Sequence, residues 1–398
     1  MEKQFIPKLR FPEFNNKYSK YEFSDIVKRG KKSYNPSKDP ENLPCIELES
    51  LTQGTGQLIK TFDSKSLKSN KTRFSKNEVL FGKLRPYLKK FLLTNFEGVC
   101  TSEILVFQGK LTSNEYLFYL IQTEKFNYES NVSSGSKMPR TDWDYLSGIK
   151  FSIPTLSEEQ QKIASFLTAV DTKINQLTKK KELLEQYKKG VMQKIFSQEI
   201  RFKDDNGNDF PEWEEKRLSK ITKYYDGTHQ TPNYVSEGIP FYSVEHVTAN
   251  QFEKTKYISE EVFDKENKRV KLEKGDILMT RIGNVGKAKY IDWNVKASFY
   301  VSLALIKQGS SFSSKYLAQY INAEPFQREL WKRIIHVAFP IKINLGEIGN
   351  CIVKLPCREE QTKISNFLSA VDDKIEALTT QIEKTTTFKK GLLQQMFV

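Results

Sequence analysis

The chain has 398 residues, 38% of them hydrophobic and 28% charged, and its 63 basic and 49 acidic residues give a formal net charge of +14. This length predicts two domains with connecting segments, and 27 Phe and 18 Tyr supply enough aromatic surface for buried cores. The sequence has no apolar run long enough to span a membrane and no signal-peptide pattern at its start, and its four scattered cysteines fit neither a zinc site nor a disulfide framework. We therefore expect a cytoplasmic protein that binds no metal and whose positive charge meets phosphate groups.

An α+β domain is predicted for residues 21–153, after an N-terminal segment at residues 1–20. Strand-like runs at residues 78–80 and 102–106 are separated by turn residues, and a helix is predicted for residues 116–126. Short strands with a late helix indicate a mixed domain of sheet and helix.

A long amphipathic helix is predicted within a spacer at residues 154–200. Between residues 158 and 196 the apolar side chains recur at alternating steps of four and three, which is the heptad pattern of a coiled-coil seam. A helix of this length spans roughly 58 Å, and its single apolar stripe needs a partner helix. The alternative is an amphipathic helix lying on a globular domain. The residues assigned to helix packing or partner contact are Ile163, Leu167, Val170, Ile174 and Leu177.

A linker at residues 201–214 leads to a second α+β domain at residues 215–355, which is a distant copy of the first. The domains match poorly in sequence, although short segments correspond in order. These are residues 81–85 with 279–283, residues 102–106 with 302–306, Pro139 with Pro340, and the predicted helices at 116–126 and 314–326.

The last spacer, residues 356–398, repeats the first helix. Residues 359–397 match residues 158–196 at a constant offset of 201, with 20 of 39 positions identical, which indicates an internal duplication. Each copy needs a partner helix, so we expect the copies to pair with each other. The second seam consists of Ile364, Leu368, Val371, Ile375 and Leu378.

Two features interrupt these helices at matching positions. Lys188 and Lys389 fall on the apolar seam. Gly190 and Gly391 are predicted to break or bend the helices near their ends, because glycine costs about 1 kcal/mol inside a helix.

The excess positive charge belongs to the two domains rather than to the helices. Residues 1–157 carry a net +8 and residues 201–358 a net +5, whereas the helical segments 158–200 and 359–398 carry +2 and −1. Two basic domains on a long helical spacer are the layout of a protein that binds nucleic acid at two sites.

Three segments of each domain are predicted to contact DNA. Arginine can read guanine and Asn or Gln can read adenine in the major groove, while glycine lets the backbone approach phosphate. The alternative for many of the lysines is a solvated surface position. The predicted contacts of the first domain are Arg29, Lys31, Lys32, Lys83, Arg85, Tyr87, Lys89, Lys90, Ser136, Lys137 and Arg140. Those of the second are Thr228, His229, Gln230, Arg281, Asn284, Lys287, His336 and Lys342.

No catalytic site is predicted. The sequence lacks a P-loop, a complete dinucleotide-binding fingerprint and the Asn-Pro-Pro-aromatic motif of a methyltransferase. Asp264, Glu266 and Lys268 have the spacing of a nuclease motif, but they lie in a uniformly charged stretch without an apolar strand to hold carboxylates on a metal. We therefore expect catalysis to reside on another protein.

The order of these motifs resembles the specificity (S) subunit of type I restriction-modification systems over essentially the whole chain. Each basic domain is followed by a Pro-x(2,3)-Glu-Glu-Gln segment, then by Phe-Leu-[Ser/Thr]-Ala-Val-Asp-x-Lys-Ile, then by Lys-Lys-Gly-x-x-Gln-x-x-Phe. These motifs occupy residues 154–160, 166–174 and 188–196, and again residues 356–361, 367–375 and 389–397.

The resemblance implies a pseudo-twofold α+β protein, with two globular target recognition domains joined and separated by two long helices packed as an antiparallel coiled coil. Each domain would read one half of a bipartite target in double-stranded DNA, and the helices would set the spacing. Two modification (methyltransferase) subunits would use S-adenosylmethionine, and restriction subunits would use ATP and Mg²⁺, so this chain would bind no cofactor and no membrane. A standalone bivalent nucleic-acid-binding scaffold without enzymatic partners is the alternative.

Overall fold

A computed structural model describes residues 6–132 and 138–398 of the chain. The predicted contacts Ser136 and Lys137 lie outside these described residues. Two structural units are present, one formed by Met1–Lys179 with Thr379–Val398 and the other by Lys180–Leu378. Within the described ranges, every helix is too short or too polar to cross a membrane.

The first unit is a mixed domain of short strands and helices, as predicted. Its strands are β1 (Tyr18–Glu22), β2 (Val27–Arg29), β3 (Ser33–Tyr34), β4 (Pro44–Ile46), β5 (Phe62–Asp63), β6 (Lys71–Phe74), β7 (Val79–Gly82), β8 (Phe91–Leu93), β9 (Gly98–Thr101), β10 (Ile104–Gly109) and β11 (Lys150–Pro154). Its helices are α1 (Phe23–Ile26), α2 (Asn114–Leu120), α3 (Glu124–Ser130), α4 (Trp143–Ser147) and the first part of α5 (Ser157–Phe196).

The second unit repeats this arrangement. Its strands are β12 (Glu214–Arg217), β13 (Tyr224–Asp226), β14 (Ile239–Tyr242), β15 (Lys256–Ile258), β16 (Ile277–Thr280), β17 (Ala288–Tyr290), β18 (Ser298–Phe299), β19 (Leu303–Ile306) and β20 (Ile352–Leu355). Its helices are α6 (Leu218–Ile221), α7 (Val244–Ala249), α8 (Glu260–Glu266), α9 (Ser314–Ile321), α10 (Glu324–Trp331), α11 (Leu345–Asn350) and the first part of α12 (Arg358–Met396).

A four-stranded antiparallel sheet with the same strand order lies in both units. The order is β2-β10-β7-β8 in the first and β13-β19-β16-β17 in the second. Two-stranded ribbons, β1-β11 and β12-β20, lead into the long helices in each case. A further sheet is β3-β6-β9-β4-β5 in the first unit and β15-β14-β18 in the second. The shared sheet confirms the predicted duplication, and the differing third sheet shows where the domains diverge.

Each single helix predicted late in a domain is in fact a pair of short helices. In the first unit α2 ends at Leu120 and α3 begins at Glu124, where the Thr123 hydroxyl accepts a hydrogen bond from the Phe126 N–H. Such a side chain caps a new helix start, which explains the interruption. Apolar residues on both sides of the turn are buried in one core, so the periodicity alone did not reveal it.

The long helices pair in opposite directions within each unit. In the first unit Leu392 and Met396, near the end of α12, share a core with Ile163 and Leu167, near the start of α5. In the second unit the end of α5 packs against the start of α12 through Met192, Ile195, Ile364 and Leu368. This antiparallel packing excludes the alternative of a lone amphipathic helix on a globular domain.

Gly190 and Gly391 were predicted to break or bend the helices, and the predicted break is wrong. Both glycines lie inside continuous helices, since α5 runs Ser157–Phe196 and α12 runs Arg358–Met396. A hydrogen-bonded helical backbone accepts glycine at an entropic cost, and the packing of neighbouring apolar residues offsets that cost.

The linker at residues 201–214 is a packed element rather than a free connection. Arg201 binds Glu360 through two guanidinium nitrogens, and the Trp213 indole N–H donates to the same carboxylate. In the first unit Arg10 holds Glu159 in the same manner. The N-terminal segment and the linker are therefore equivalent parts of the two repeats.

Candidate nucleic-acid interface

The loop that follows β7 in the first unit joins two of the predicted DNA-binding segments. The Arg85 N–H donates to the Pro139 carbonyl at 2.8 Å, and the Thr141 N–H donates to the Lys83 carbonyl at 2.9 Å. Leu84 and Arg140 form an isolated β-bridge between these hydrogen bonds. Residues far apart in sequence thus form one surface with basic side chains on both strands.

The equivalent loop of the second unit is built with the same hydrogen bonds. The Gly283 N–H donates to the Ile341 carbonyl, and Ile282 bridges to Lys342. Residues 81–85 therefore match 279–283, as predicted from sequence. The predicted match of Pro139 with Pro340 is wrong by one residue, because the hydrogen bonds align Pro139 with Ile341.

Arg85 occupies a backbone conformation that favours glycine. Its φ is 51°, in the left-handed region, and the matching residue of the second unit is Gly283 with a φ of 77°. A side chain other than glycine is uncommon in this region, and such residues cluster at functional sites. The first unit has an arginine at the position where the second avoids the backbone strain with a glycine. The Arg85 side chain is exposed.

Among the other predicted contacts of this loop, some side chains are exposed to solvent, and one instead forms a hydrogen bond within the domain. Tyr87 is 54% exposed, and Lys89 is exposed with a φ of 49°. The Lys90 ammonium instead donates to the Leu48 carbonyl at 2.6 Å, so the prediction of Lys90 as a DNA contact is not supported by its position. Lys83 is half-buried, and Arg140 is partly neutralised by Glu103 at 3.1 Å.

The earlier basic segment lies in a different place, along a cleft of about 660 Å³. Lys31 and Lys32 are exposed on the cleft wall, and Arg29 lies with its guanidinium over the Trp143 ring at 5.5 Å. The residues that line the cleft do not include those of the loop after β7. Arg73, which sequence reasoning missed, also lines it, although Glu41 and Asp39 neutralise its charge.

In the second unit, three basic side chains contact the carboxylate of Asp226. Asp226 lies at the end of β13 and accepts hydrogen bonds from Arg269 at 2.8 Å and from the His229 Nε2, also at 2.8 Å. Burial opposes ionisation of Asp226, but the hydrogen bonds from Arg269 and His229 outweigh it and lower the pKa of this carboxyl. The predicted segments at residues 228–230 and 281–287 meet here.

Arg281 is enclosed rather than exposed, which corrects its prediction as a surface contact. Its side chain is 12% exposed, and its closest anionic partner is Asp226 at 3.5 Å. Burial lowers the pKa of the guanidinium against the opposing effect of Asp226. The buried Nε has no hydrogen-bond partner among the described residues, so a polar group remains unsatisfied at this point.

The other predicted contacts of the second unit lie on its surface. Gln230, Asn284, Lys287 and Lys342 are exposed, while the Thr228 hydroxyl donates to the Gln230 carbonyl at 3.2 Å. His336 is exposed, with its Nε2 3.0 Å from the Trp331 carbonyl oxygen. Lys342 lies beside the loop that carries Asn284 and Lys287, which gives this unit an exposed basic edge in the place of the first unit's Arg85 loop.

The helix seam is buried where it was predicted, with one exception in each copy. The buried members are Ile163, Leu167, Val170, Leu177, Ile364, Leu368, Val371 and Leu378. Ile174 and Ile375 are half-buried. The main role of the seam residues is therefore to pack the two helices together.

Two ion pairs at equivalent positions explain the lysines that interrupt the seam. The Lys389 ammonium lies 2.8 Å from Asp171 Oδ1 in the first unit, and the Lys188 ammonium lies 2.6 Å from Asp372 Oδ1 in the second. Both pairs connect α5 with α12 and differ in number by the same offset of 201. Sequence reasoning missed the aspartates, although both stand in the repeated Ala-Val-Asp motif.

These ion pairs also contact the α+β domains. Asp171 accepts a hydrogen bond from the Tyr119 hydroxyl of α2 at 3.0 Å, and Asp372 accepts one from the Gln319 amide of α9 at 2.9 Å. Burial, with the nearby Asp171 charge, raises the pKa of the Tyr119 hydroxyl and keeps it a donor. Each domain is thereby fastened to the helix pair at the same point.

The nuclease alternative is not supported by the structure. Asp264 and Glu266 lie on helix α8 rather than on a strand that could present both carboxylates to a metal. In the part of the chain that the structure describes, no group of three or more His, Cys, Asp or Glu is placed to hold a metal ion.

The repeated architecture has a counterpart among known protein families. The model of the type I restriction modification DNA specificity domain matches residues 15–186 and again residues 211–386. The chain belongs to this family. The predictions of a type I specificity subunit, of its two-domain α+β fold and of a non-catalytic role are thereby confirmed.

Individual members of the family show the same similarity. The type I restriction enzyme MjaVIII specificity subunit of Methanocaldococcus jannaschii is 25% identical over 315 residues, which cover 75% of this chain and 73% of that protein. The crystal structure of a type I restriction-modification S subunit from M. genitalium has a TM-score of 0.63 and 16% identity, and covers 99% of both chains. A second solved chain, from work on assembly and conformational transition of the type I system, has a TM-score of 0.58 and 16% identity, over 95% of this chain and 97% of that one. The two solved structures support the fold of this specificity subunit.

Proposed function

We propose that this specificity subunit reads a bipartite target in double-stranded DNA, with one half-site bound by each recognition domain. The observation that supports this most directly is the pair of equivalent edges after β7 and β16. Each is hydrogen-bonded to a second segment of its own domain, and each presents exposed cationic side chains. Their chemistry differs, since Arg85 and Tyr87 stand on one and Asn284 and Lys342 on the other. Different side chains on a common frame suit two different half-sites.

In this proposal the paired helices fix the number of base pairs between the half-sites. A continuous helix transmits position along its length at about 1.5 Å per residue. The seam and the ion pairs of Asp171 and Asp372 favour one register between α5 and α12. The hydrogen bonds from Tyr119 and Gln319 hold each domain to that register.

The same proposal assigns the chemistry to other subunits. Two modification subunits would dock on the helices and methylate adenine with S-adenosylmethionine, and restriction subunits would add cleavage that uses ATP and Mg²⁺. This chain would bind none of these cofactors, and assembly on DNA would take place in the cytoplasm. The membership of the family and the similarity to a chain studied for assembly of the type I system support this division of work.

Domain-specific variants of the chain, co-expressed with its modification subunits, test the proposal. Arg85→Ala removes an exposed cation of the first domain, and Lys342→Ala removes one from the second. We expect each variant to lower methylation of target duplexes because its domain binds its half-site more weakly. Mutating that same half-site in the DNA should then cause little further loss of methylation. Equal loss on unrelated sequences would identify the residue as a phosphate contact. If the purified chain fails to associate with the modification subunits, the standalone scaffold is favoured instead.

A further inference from the structure

The second domain carries an exposed apolar tip that its fold does not use. Ile335 pairs with Lys342, and the chain between them, residues 336–341, forms the tip of a hairpin. Val337 is 96% exposed and Phe339 is fully exposed, and Trp331 at the base is 62% exposed. Single exposed apolar side chains are ordinary on protein surfaces. Two apolar side chains that are almost completely exposed on the same six-residue tip instead indicate a binding surface.

This tip lies at the proposed DNA-binding edge. The Gly283 N–H donates to the Ile341 carbonyl, and Lys342 bridges to Ile282, so the hairpin is fastened directly to the loop after β16. Lys287 and Asn284 extend from that loop and are exposed. A duplex that contacted these side chains would meet the tip as well.

The charge around the tip favours nucleic acid over a protein surface or another apolar partner. Residues 331–342 contain three basic residues and no acidic one. Glu329 pairs with Lys332 and Arg333, and Glu347 lies 3.9 Å from Arg333, which among the described residues leaves Lys342 as the cation without an acidic partner beside the tip. An apolar side chain next to a cation matches the stacked bases and adjacent phosphates of DNA.

We propose that Phe339, supported by Val337, inserts between base pairs of the second half-site as a wedge. Proteins that bend DNA in this way place Phe, Leu, Ile, Met or Pro between base steps and unstack them. The same hydrogen bonds make residues 134–139 of the first domain, Ser-Gly-Ser-Lys-Met-Pro, the counterpart of the tip. This stretch has no aromatic residue, and its Met138 is 47% exposed. Insertion of an aromatic ring is therefore specific to the second half-site. This inference rests on the proposed function and adds a distortion of the target to it.

The test uses the full chain in complex with its modification subunits, and duplexes in which 2-aminopurine replaces successive bases of the second half-site. We expect fluorescence to rise on binding at one step, where stacking is lost. Phe339→Ala should abolish that rise and weaken binding by about tenfold, since stacking on an aromatic ring contributes about 1.4 kcal/mol or more. Phe339→Leu should restore much of the rise because leucine can also insert.

Tyr128→Ala is the matched control, because it removes a 73% exposed aromatic side chain from the first unit. It should leave the signal at the second half-site unchanged. Unchanged fluorescence and affinity with Phe339→Ala would overturn the inference. If Phe339→Ala bound DNA with the parent affinity but lost a modification subunit, the inference would also be overturned, and the tip would be assigned to a contact with that subunit. If the parent complex binds no split target, the proposed function itself fails, which is a separate result.

Discussion

Lys389→Met should loosen the end of α12 far more than the equivalent Lys188→Met loosens the end of α5. The Lys389 and Asp171 side chains are 11% and 23% exposed, and Lys389 also donates to Gln122 at 2.9 Å. Removing one partner of a fully buried pair costs about 3–5 kcal/mol, whereas exposed pairs contribute about 0–1 kcal/mol. Because this pair is partly buried, we expect a loss of about 2 kcal/mol. Asp372 is 42% exposed, so the second pair should contribute about 1 kcal/mol or less.

Hydrogen exchange followed by mass spectrometry measures this difference locally. A loss of about 2 kcal/mol in opening free energy accelerates exchange about thirtyfold, and 1 kcal/mol about fivefold. Peptides covering residues 386–397 should therefore exchange about thirtyfold faster in Lys389→Met. Methionine keeps the apolar stem, and adding Asp171→Asn should recover part of the loss because no unpaired charge remains. No acceleration in Lys389→Met, or equal effects at the two lysines, would refute the assignment of this pair.

Three further predictions concern other parts of the molecule. Gly391→Ala should raise stability by about 1 kcal/mol in urea unfolding, since the position is helical and an added Cβ meets its nearest atom at 3.9 Å; destabilisation would contradict the continuous helix. Asp226→Asn should lower the thermal midpoint at pH 7, and this difference should shrink as the pH falls below 3.8 towards the lowered folded pKa of Asp226; a constant difference would exclude its ionic role. Inserting two helical turns near residues 179–181, with a matching insertion in α12, should lengthen the unread gap in the methylated motif, and an altered half-site would contradict the spacer function.

The duplication and the helices could be predicted from the sequence because their signals are local and repeated. Apolar residues at steps of three and four define a helix face, and an identical register 201 residues later defines its copy. The strand at Val79–Gly82 was predicted at residues 78–80 for a similar reason, as a short apolar run bounded by turn residues. The third sheet of each domain lacks a common pattern and could not be foreseen.

The candidate site was only partly predictable, because exposure and ion pairing depend on contacts between distant residues. Arg281 and Lys90 stand in basic, glycine-containing segments, yet the fold turns the first towards Asp226 and the second towards the Leu48 carbonyl. Conversely, Phe339 was not singled out in the sequence, and the structure leaves it fully exposed. The left-handed conformation shared by Arg85 and Gly283 occurs where each loop is hydrogen-bonded to a distant segment of its domain, which the local sequence does not specify.

Methylome sequencing of a host that expresses this chain with its modification subunit, compared with a host that lacks this chain, tests the central claim most directly. The proposed function predicts a new split motif, in which two short half-sites are separated by a fixed gap and an adenine is modified in each. A new motif that was short and continuous, or no new motif despite a stable complex with the modification subunit, would contradict bipartite recognition by the two domains.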